Sequence, residues 1–485
     1  MSTPELAARR ARVLVDLGAG SAVAGVADIA SHTGRILGWE VDGPHIHLRT
    51  ELTGIATFTE TLRILGPDGA VLEPDPTDPA VSGALDVLAL AASVSYLKAT
   101  LPPTIELAGR PVGPAGVAMV RALLTDGLAE LALRAGLGPL DDAFTLHGSD
   151  AASTESPVRS PSPAGPPSGV LVTVGGGKDS ALTLALAARH DPEALAVAVN
   201  PRAPMERTAA WAGLGLVRVE RRLDRTLLDL NARGAINGHV PITAIVTSAA
   251  VVAATVLGRG TVLVSNERSA DSATRDVDGW TVNHQYSKTS AFERLLGAAL
   301  DEAGATTRVV SLLRPLSELA IARGVAREVG LIAEVTSCNA AFALDGPGDG
   351  WCGRCDKCRF VQLALAPFTP HAQLVHDLGF DALGDPEQVA AFATMLDAAT
   401  KPFECVGTVE EVQLALDLLA VQDGWRDAAA VRALGDAAAQ DLDARLADAL
   451  RHDATVAVPA PFDHWLDELA RPEGSTGQDA AGGAA

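Results

Sequence analysis

The sequence predicts an α/β protein: a doubly wound parallel sheet, with an N-terminal α+β domain before it and a helical C-terminal region after it. From residue 169 onward, short apolar runs alternate with helical patterns, as in strands that are joined by crossover helices. A glycine turn, Gly175–Gly177, separates the first of these runs from the helical pattern that follows. Beyond residue 336 the chain carries a cysteine cluster and further helical patterns.

Residues 1–148 form the predicted N-terminal α+β domain. Ile36–Leu65 alternates apolar and polar residues with scattered glycine, which predicts short strands. Val81–Thr100 and Gly116–Gly136 have helical patterns. Serine and proline dominate residues 149–168, and such a composition cannot bury a core. We therefore expect a linker between this domain and the next.

Residues 169–335 form the predicted ligand-binding domain. Its predicted strands are Val170–Val174, Leu195–Val199, Leu216–Glu220 and Thr261–Ser265, and its predicted helices are Asp179–Arg189, Ala203–Gly213, Leu223–Ala232 and Pro241–Leu257. Ligands of such sheets bind beyond the carboxyl ends of the strands. Gly175, Asn200 and Glu267 fall at such ends, so we expect them to line a ligand site.

The remaining chain divides into two parts. Residues 336–470 form the predicted cysteine-cluster and helical C-terminal region. Residues 471–485 are glycine, alanine and polar residues, which predicts a disordered tail.

Charge and cysteine usage limit the partners. The formal net charge is −22, and residues 376–485 alone carry 21 acidic and 6 basic side chains. A long polyanion would be repelled, so we expect no nucleic acid partner, whereas a nucleotide-sized anion is compatible with the more basic central domain. The N-terminus lacks a signal-peptide pattern and the apolar runs predict buried helices, so we expect a cytoplasmic protein without membrane contact. The sequence leaves open which protein partners the chain has.

Lysine is rare in this chain, since it accounts for five of the 38 basic residues: Lys98, Lys178, Lys288, Lys357 and Lys401. Where arginine is the usual cation, a lysine indicates a position that needs a compact or titratable ammonium. Chance is the alternative. The five positions therefore indicate where a functional site is to be sought.

The segment Gly175–Ser180 has the pattern of a phosphate-binding loop. Three glycines lie between a buried strand and a helix start, where backbone NH groups converge on a phosphate with help from the helix dipole. Lys178 adds a positive charge and Ser180 a hydroxyl donor, while Asp179 either caps the helix or approaches a phosphate-bound magnesium ion. An ordinary strand–helix turn is the alternative.

This loop resembles the S-G-G-x-D-S signature of the ATP pyrophosphatase (PP-loop) superfamily. Members of that superfamily have an adenine nucleotide alpha hydrolase-like sheet, and they cleave ATP between the α- and β-phosphates to adenylate a substrate. The resemblance implies that Gly175–Ser180 binds ATP. Gly175 stands in place of the first serine of the signature, so one hydroxyl donor is missing.

Four cysteines form a metal-site pattern: Cys338, Cys352, Cys355 and Cys358. Spacing of three places successive thiolates within reach of one ion, and four thiolates without an open position indicate a structural Zn²⁺. An iron–sulfur cluster and free thiols are the alternatives. A similar CG-x-C-x-x-C arrangement occurs in PP-loop enzymes of the 7-cyano-7-deazaguanine synthase (QueC) type.

Several polar strings extend the comparison to most of the chain. They are SYLK, NGHVPIT, SNERSAD, NHQYSK, LLRPLSE and KPFECVGT. Together with the loop and the cysteines they resemble the MurL-type epimerases. That resemblance implies an enzyme that inverts the terminal L-glutamate of UDP-N-acetylmuramoyl-L-alanyl-L-glutamate in peptidoglycan precursor synthesis, with ATP, Mg²⁺ and an acyl-adenylate. Another PP-loop synthase of the QueC type and a non-catalytic nucleotide-binding or zinc-held interaction protein are the alternatives.

Inversion of a carbon centre needs an acid/base group on each face of that carbon, or one base together with a proton from water. Cys405 is the only cysteine outside the cluster, and a thiol of lowered pKa can serve as a base. His284 and His239 are the candidate imidazoles, and Lys288 is a candidate for binding a phosphate or the glutamyl carboxylate. The alternatives are a small buried hydrophobe for the thiol, positioning or core histidines, and a surface lysine.

Overall fold

One large sheet organises the molecule. The computed structural model describes residues 3–16, 32–148, 169–343 and 345–470. The predicted linker and the predicted tail lie outside these residues. Within them the strands are β1 (Thr33–Asp42), β2 (His45–Leu52), β3 (Ala56–Leu65), β4 (Val71–Leu72), β5 (Thr104–Leu107), β6 (Thr145–His147), β7 (Val170–Thr173), β8 (Leu195–Val199), β9 (Leu216–Arg222), β10 (Thr261–Val264), β11 (Arg275–Val277), β12 (Trp280–Val282) and β13 (Arg308–Ser311).

The strand order of the large sheet is β13-β10-β7-β8-β9-β3-β2-β1-β5-β6, and β4 pairs with β3. Its first five strands are parallel and, numbered among themselves, have the order of doubly wound nucleotide-binding sheets. The α/β prediction is thereby confirmed. The sheet as a whole is mixed, because β9 pairs antiparallel with β3 and continues into the antiparallel strands β2 and β1. One sheet thus crosses the border that the sequence predicts between the first two domains.

Helices cover both faces of the sheet. Their bounds are Thr3–Asp16, Pro79–Leu97, Pro114–Leu124, Ala129–Arg134, Lys178–His190, Ala203–Trp211, Arg225–Ala232, Ile242–Val256, Ser290–Ala303, Glu318–Arg327, Leu331–Glu334, Asn339–Phe342, Asp356–Leu365, His371–Leu378, Val389–Ala393, Val409–Ala420, Ala429–Leu434, Leu442–Ala449 and Asp467–Ala470. The helical C-terminal region is confirmed by this series.

Alternate side chains of the central strands enter two separate cores. Leu171, Val197 and Val262 pack against a layer that includes Pro79–Leu97 and Ile242–Val256. Val170, Val172 and Leu263 point to the other face, where the helices Lys178–His190, Glu318–Arg327 and Asp356–Leu365 cover them. Such burial on both sides explains why these strands are continuous apolar runs in the sequence.

One helix, Pro79–Leu97, is long and apolar enough to cross a membrane. In this fold 94% of its apolar window is buried, because the helix packs between the sheet and Ile242–Val256. Its length and composition are those of a core helix.

A candidate active site at the switch point of the sheet

The chain leaves the sheet in opposite directions after β7 and β10, which are neighbours. In doubly wound sheets, ligands usually bind in the crevice beyond the carboxyl ends of the two strands at such a switch point. Gly175–Gly177 follow β7, and residues 265–267 follow β10. The two predicted ligand-binding segments therefore lie side by side.

The glycine turn is held by close backbone packing. Gly176 has a φ of +80°, and a Cβ there would lie 3.0 Å from Cβ of Pro204. The amide of Gly175 donates to Oγ of Ser180 at 3.2 Å, and Gly177 caps the helix that begins at Lys178. A Cβ on Gly175 would meet nothing within 4 Å, so this position has room for the serine that the PP-loop signature carries.

Lys178 turns into the protein and does not face the crevice. Its ammonium forms ion pairs with Asp179 and with Glu318, and the side chains of Lys178 and Glu318 are each 1% exposed. Burial alone would lower the pKa of Lys178, but the two carboxylates raise it above its ordinary value, so the ammonium stays charged. Lys178 consequently holds two acidic side chains together under the glycine turn.

A third carboxylate completes an acidic cluster, which consists of Asp179, Glu267 and Glu318. Glu267 is 1% exposed, and its Oε2 is buried without a hydrogen-bond partner. Burial raises the pKa of Glu318, Lys178 opposes this rise, and Asp179 and Glu267 add to it. The unpartnered Oε2 of Glu267 is available to a cation such as Mg²⁺, which prefers oxygen ligands, while Asp179 and Glu318 are paired with Lys178.

Glu130 holds His284, and His284 acts on Cys405. Nδ1 of His284 lies 2.5 Å from Oε2 of Glu130, and the His284 ring lowers the pKa of the Cys405 thiol. Arg134 donates to the second oxygen of Glu130 at 2.6 Å, and the Glu130 side chain is 5% exposed. The carboxylate therefore fixes the orientation of the imidazole that favours the thiolate.

The charges of this chain follow from its neighbours. Burial would raise the pKa of Cys405, but Lys288, Lys357 and His284 lower it to about 6. Burial would lower the pKa of His284, but its hydrogen bonds to Cys405 and Glu130 raise it to about 9. At neutral pH the pair is therefore a thiolate and an imidazolium.

His239 and Lys288 lie on either side of this pair. The rings of His239 and His284 have centroids 4.5 Å apart, and Nδ1 of His239 lies 3.7 Å from Glu130 Oε2. Burial, followed by the charge of His284, lowers the pKa of His239 to about 4, so its ring is neutral. Nζ of Lys288 lies 3.5 Å from Sγ of Cys405 and 2.9 Å from Oε1 of Gln285. The four side chains that the sequence predicts to be catalytic therefore lie close together, and their roles stay predictions.

Asn200 is separated from this group. It ends β8 with a φ of +48°, and its side chain exchanges two hydrogen bonds with the backbone of Arg221, each 2.8 Å long. The side-chain amide of Asn200 thus links the end of β8 to the end of β9. Its assignment to the nucleotide site stays a prediction.

The four clustered thiols have the spacing of a tetrahedral metal site. The Sγ atoms of Cys338, Cys352, Cys355 and Cys358 all lie within 4.8 Å of one another, and the closest pairs are 3.4, 3.7 and 3.9 Å apart. A tetrahedral zinc ion with Zn–S bonds of about 2.3 Å sets its ligands about 3.8 Å apart. The donor set fits a closed structural Zn²⁺ site.

Backbone amides support the same interpretation of the cysteine cluster. The amide of Cys352 donates to Sγ of Cys338 at 3.3 Å, and the amide of Cys355 donates to Sγ of Cys352 at 3.3 Å. Gly353 has a φ of +68°, which allows the tight turn between the second and third cysteines. Amides that point at sulfur stabilise thiolates, which are the form that binds a metal.

Sequence reasoning missed Glu130 and Glu318 as site residues. Glu130 lies on a helix of the N-terminal domain, far along the chain from His284, and nothing in its local sequence distinguishes it. The rarity of lysine was the more useful signal. Lys178, Lys288, Lys357 and Lys401 all lie at or beside the site, and Lys98 donates to Oδ1 of Asn237, two residues before His239.

The crevice contains a buried acidic cluster and an oriented thiol–imidazole pair. Such a combination is typical of an enzyme and not of a non-catalytic binding protein. Comparison with known families agrees. The MurL N-terminal domain matches residues 39–312, and the MurL C-terminal domain matches residues 334–449.

Three curated proteins are similar over most of their length, and each is named UDP-N-acetyl-alpha-D-muramoyl-L-alanyl-L-glutamate epimerase. The protein of Salinispora tropica is 43% identical over 410 residues, which cover 79% of this chain and 86% of that protein. The Micromonospora sp. protein is 42% identical, with 79% and 88% covered, and the Xanthomonas oryzae pv. oryzae protein is 37% identical, with 78% and 86% covered. The chain belongs to the MurL family, and it is an epimerase, that is, an isomerase.

Proposed function

We propose that this chain epimerises the terminal L-glutamate of UDP-N-acetylmuramoyl-L-alanyl-L-glutamate to D-glutamate, with ATP and Mg²⁺, in peptidoglycan precursor synthesis in the cytoplasm. The names of its relatives support the substrate. One arrangement supports the proposal further: Nζ of Lys288 lies 3.5 Å from Sγ of Cys405, and the charges of Glu267, Asp179 and Glu318 help to raise the pKa of Lys288. Lys288 therefore connects the groups proposed for ATP activation with those proposed for the chemistry at the α-carbon.

Activation explains why an epimerase would need ATP. The α-proton of a carboxylate is very weakly acidic, because its removal places a second negative charge beside the first. An acyl-adenylate lacks the carboxylate charge and delocalises the new one, so the α-proton becomes removable. Return of a proton to the opposite face inverts the centre. Hydrolysis of the acyl-adenylate then releases AMP and the product.

The glycine turn and the acidic cluster are the proposed ATP site, of the PP-loop type. The open side of Gly175, the tight turn at Gly176 and Gly177, and the hydroxyl of Ser180 suit the phosphates. The acidic cluster would hold Mg²⁺, which would neutralise phosphate charge when bound. Lys178 contributes by holding Asp179 and Glu318 in place.

The two imidazoles are proposed to serve one face of the α-carbon, because their ring centroids are only 4.5 Å apart. His239 has a pKa of about 4, so it is neutral and accepts the α-proton, whereas His284 has a pKa of about 9 and is protonated. A proton from water returns on the opposite face. Lys288 stabilises the negative charge that develops on the substrate and the thiolate of Cys405 beside it. The cysteine cluster is the proposed structural Zn²⁺ site, which fixes the segment that leads into the helix Asp356–Leu365.

The proposed metal site gives a direct prediction. Glu267→Gln keeps the side-chain shape and removes one negative charge from the acidic cluster, so we expect the Mg²⁺ concentration for half-maximal activity to rise about 10- to 100-fold. Titration of activity with Mg²⁺ at saturating ATP measures this shift. Glu328→Gln is the matched control, because Glu328 pairs with Arg189 away from the crevice and its replacement should leave the requirement unchanged. An unshifted requirement in Glu267→Gln would exclude Glu267 as a ligand.

The thiolate–imidazolium pair predicts a bell-shaped pH profile of kcat/KM. Activity should fall below about pH 6, where Cys405 takes up a proton, and above about pH 9, where His284 loses one. Glu130→Gln removes a carboxylate that raises the pKa of His284, so the alkaline limb should move to lower pH. An alkaline limb that stays in place in Glu130→Gln would contradict the assignment.

Substrate-dependent ATP–pyrophosphate exchange tests the activation step. The purified protein is given ATP, Mg²⁺ and labelled pyrophosphate, with and without UDP-N-acetylmuramoyl-L-alanyl-L-glutamate. Incorporation of label into ATP only when the dipeptide is present is the expected result. Conversion of L- to D-glutamate without any ATP consumption would overturn the proposed ATP dependence.

A further inference from the structure

We propose that Cys405 is a nucleophile that takes the glutamyl group from the adenylate, so that inversion occurs on an enzyme-bound thioester. This inference rests on the proposed function and adds a covalent step to it. It assigns the thiol a role different from that of a proton carrier. Removal of the α-proton is then left to His239, and a proton from water returns on the opposite face.

The arrangement around Cys405 is that of an activated nucleophile. The His284 imidazole, which Glu130 orients through a 2.5 Å contact at Nδ1, favours the thiolate form of Cys405, as imidazoles do for cysteine in acyl-transfer enzymes. Lys288 places its ammonium 3.5 Å from the sulfur and so favours the thiolate. A cysteine that only filled the hydrophobic core would not need His284, Glu130 and Lys288 around it.

Backbone contacts hold the thiol in position. Nζ of Lys357 donates to the carbonyl oxygen of Cys405 at 2.5 Å. On the other side, Arg275 donates to the carbonyl oxygen of Lys401 at 2.9 Å. The segment 401–405 is thereby tied at both ends, and Cys405 is half-buried at its end. A fixed thiolate attacks at low entropic cost, provided that the electrophile is delivered to it.

Lys288 connects the thiol to the place where the electrophile would form. Besides the Cys405 sulfur, its ammonium interacts with Glu267, Asp179 and Glu318, the acidic cluster under the glycine turn. An adenylate with its phosphate at that turn would have its acyl carbon on the side of Lys288 and Cys405. A thiolate beside such an electrophile is acylated readily, so the geometry favours transfer of the glutamyl group to Cys405.

The atoms and charges of the step balance. The Cys405 thiolate attacks the carbonyl carbon of the glutamyl adenylate, a C–S bond forms, and the C–O bond to the phosphate breaks, which releases AMP. The thioester lacks a carboxylate charge, so its α-proton is acidic enough to be taken by His239 and replaced on the opposite face by a proton from water. Water then cleaves the C–S bond, which yields the D-glutamyl carboxylate and regenerates the thiol. The step requires no reactant beyond ATP, substrate and water.

The test is trapping of the acyl-enzyme on the full-length protein. The enzyme is mixed with ATP, Mg²⁺ and UDP-N-acetylmuramoyl-L-alanyl-L-glutamate, quenched with acid within one turnover, and its intact mass is measured. We expect an added mass equal to the substrate minus one water, located on the Cys405 peptide and released by neutral hydroxylamine. AMP release without any adduct at the same times would overturn the thioester.

Cys405→Ala separates this inference from the proposed function. The variant should still form the adenylate, so substrate-dependent ATP–pyrophosphate exchange persists and shows that the protein is folded. AMP release and exchange of the α-proton should both fall at least about 100-fold. Normal AMP release and α-proton exchange in the variant would refute the nucleophile alone, whereas absence of pyrophosphate exchange in the unmodified enzyme would refute the adenylation on which it rests.

Discussion

Replacement of His284 by asparagine is expected to lower the rate of epimerisation by about 1000-fold, or about 4 kcal/mol of transition-state stabilisation. Asparagine places a side-chain amide where Nδ1 of His284 now lies, so a hydrogen bond to Glu130 is retained. The imidazolium that lowers the pKa of Cys405 is lost, so less of the thiol is present as thiolate. The assay is the conversion of L- to D-glutamate in the dipeptide.

His371→Asn is the matched control for this variant. His371 also pairs with a carboxylate, since its Nε2 lies 3.0 Å from Oδ2 of Asp381, but the pair belongs to the helical C-terminal region and not to the crevice. Epimerisation should be retained in this control. A His284→Asn enzyme with near-normal turnover would show that the thiol–imidazole pair has no part in the reaction.

Replacement of Cys358 by serine is expected to empty the metal site and to destabilise the C-terminal region. Cys358 is fully buried in the helix Asp356–Leu365 and packs in one cluster with Cys338, Trp351 and Phe380. Loss of one thiolate from a closed four-sulfur site removes metal-binding energy that is also folding energy. The zinc content should fall from about one ion per chain to nearly none, and Tm should fall by at least about 10 °C.

The fifth cysteine provides the control for the metal prediction. Cys405→Ser should lose epimerase activity yet keep its zinc and its Tm, because Cys405 lies outside the four-thiol cluster. Elemental analysis and calorimetry measure both quantities. Visible absorbance of an iron–sulfur cluster, or a protein free of metal with an unchanged Tm in Cys358→Ser, would contradict the structural zinc site.

The central elements were predictable because their patterns are local. The strand Leu195–Val199 has the predicted bounds, and the helix after the glycine turn begins one residue before the predicted start, at Lys178. Short apolar strands between helices leave few alternatives when both faces of a sheet are buried. The cysteine cluster was predictable for a similar reason, since spacing alone brings three of its thiols together.

The features that the sequence did not reveal depend on distant parts of the chain. The antiparallel pairing of β9 with β3 makes one mixed sheet, and no local pattern specifies which strands become neighbours at the edge of a sheet. Glu130 reaches His284 from a helix 154 residues earlier, and Glu318 reaches Lys178 across 140 residues. Single acidic residues on helices are common on surfaces, so their burial here could not be inferred from the sequence.

The most direct measurement of the whole account is the reaction in deuterated water. The enzyme is incubated with ATP, Mg²⁺ and UDP-N-acetylmuramoyl-L-alanyl-L-glutamate, and AMP and pyrophosphate are measured. The dipeptide product is then hydrolysed, and its glutamate is analysed for chirality and mass. The account predicts D-glutamate with one deuterium at the α-carbon, and formation of AMP and pyrophosphate that depends on the dipeptide. D-glutamate without deuterium, or AMP release with L-glutamate left unexchanged, would contradict it.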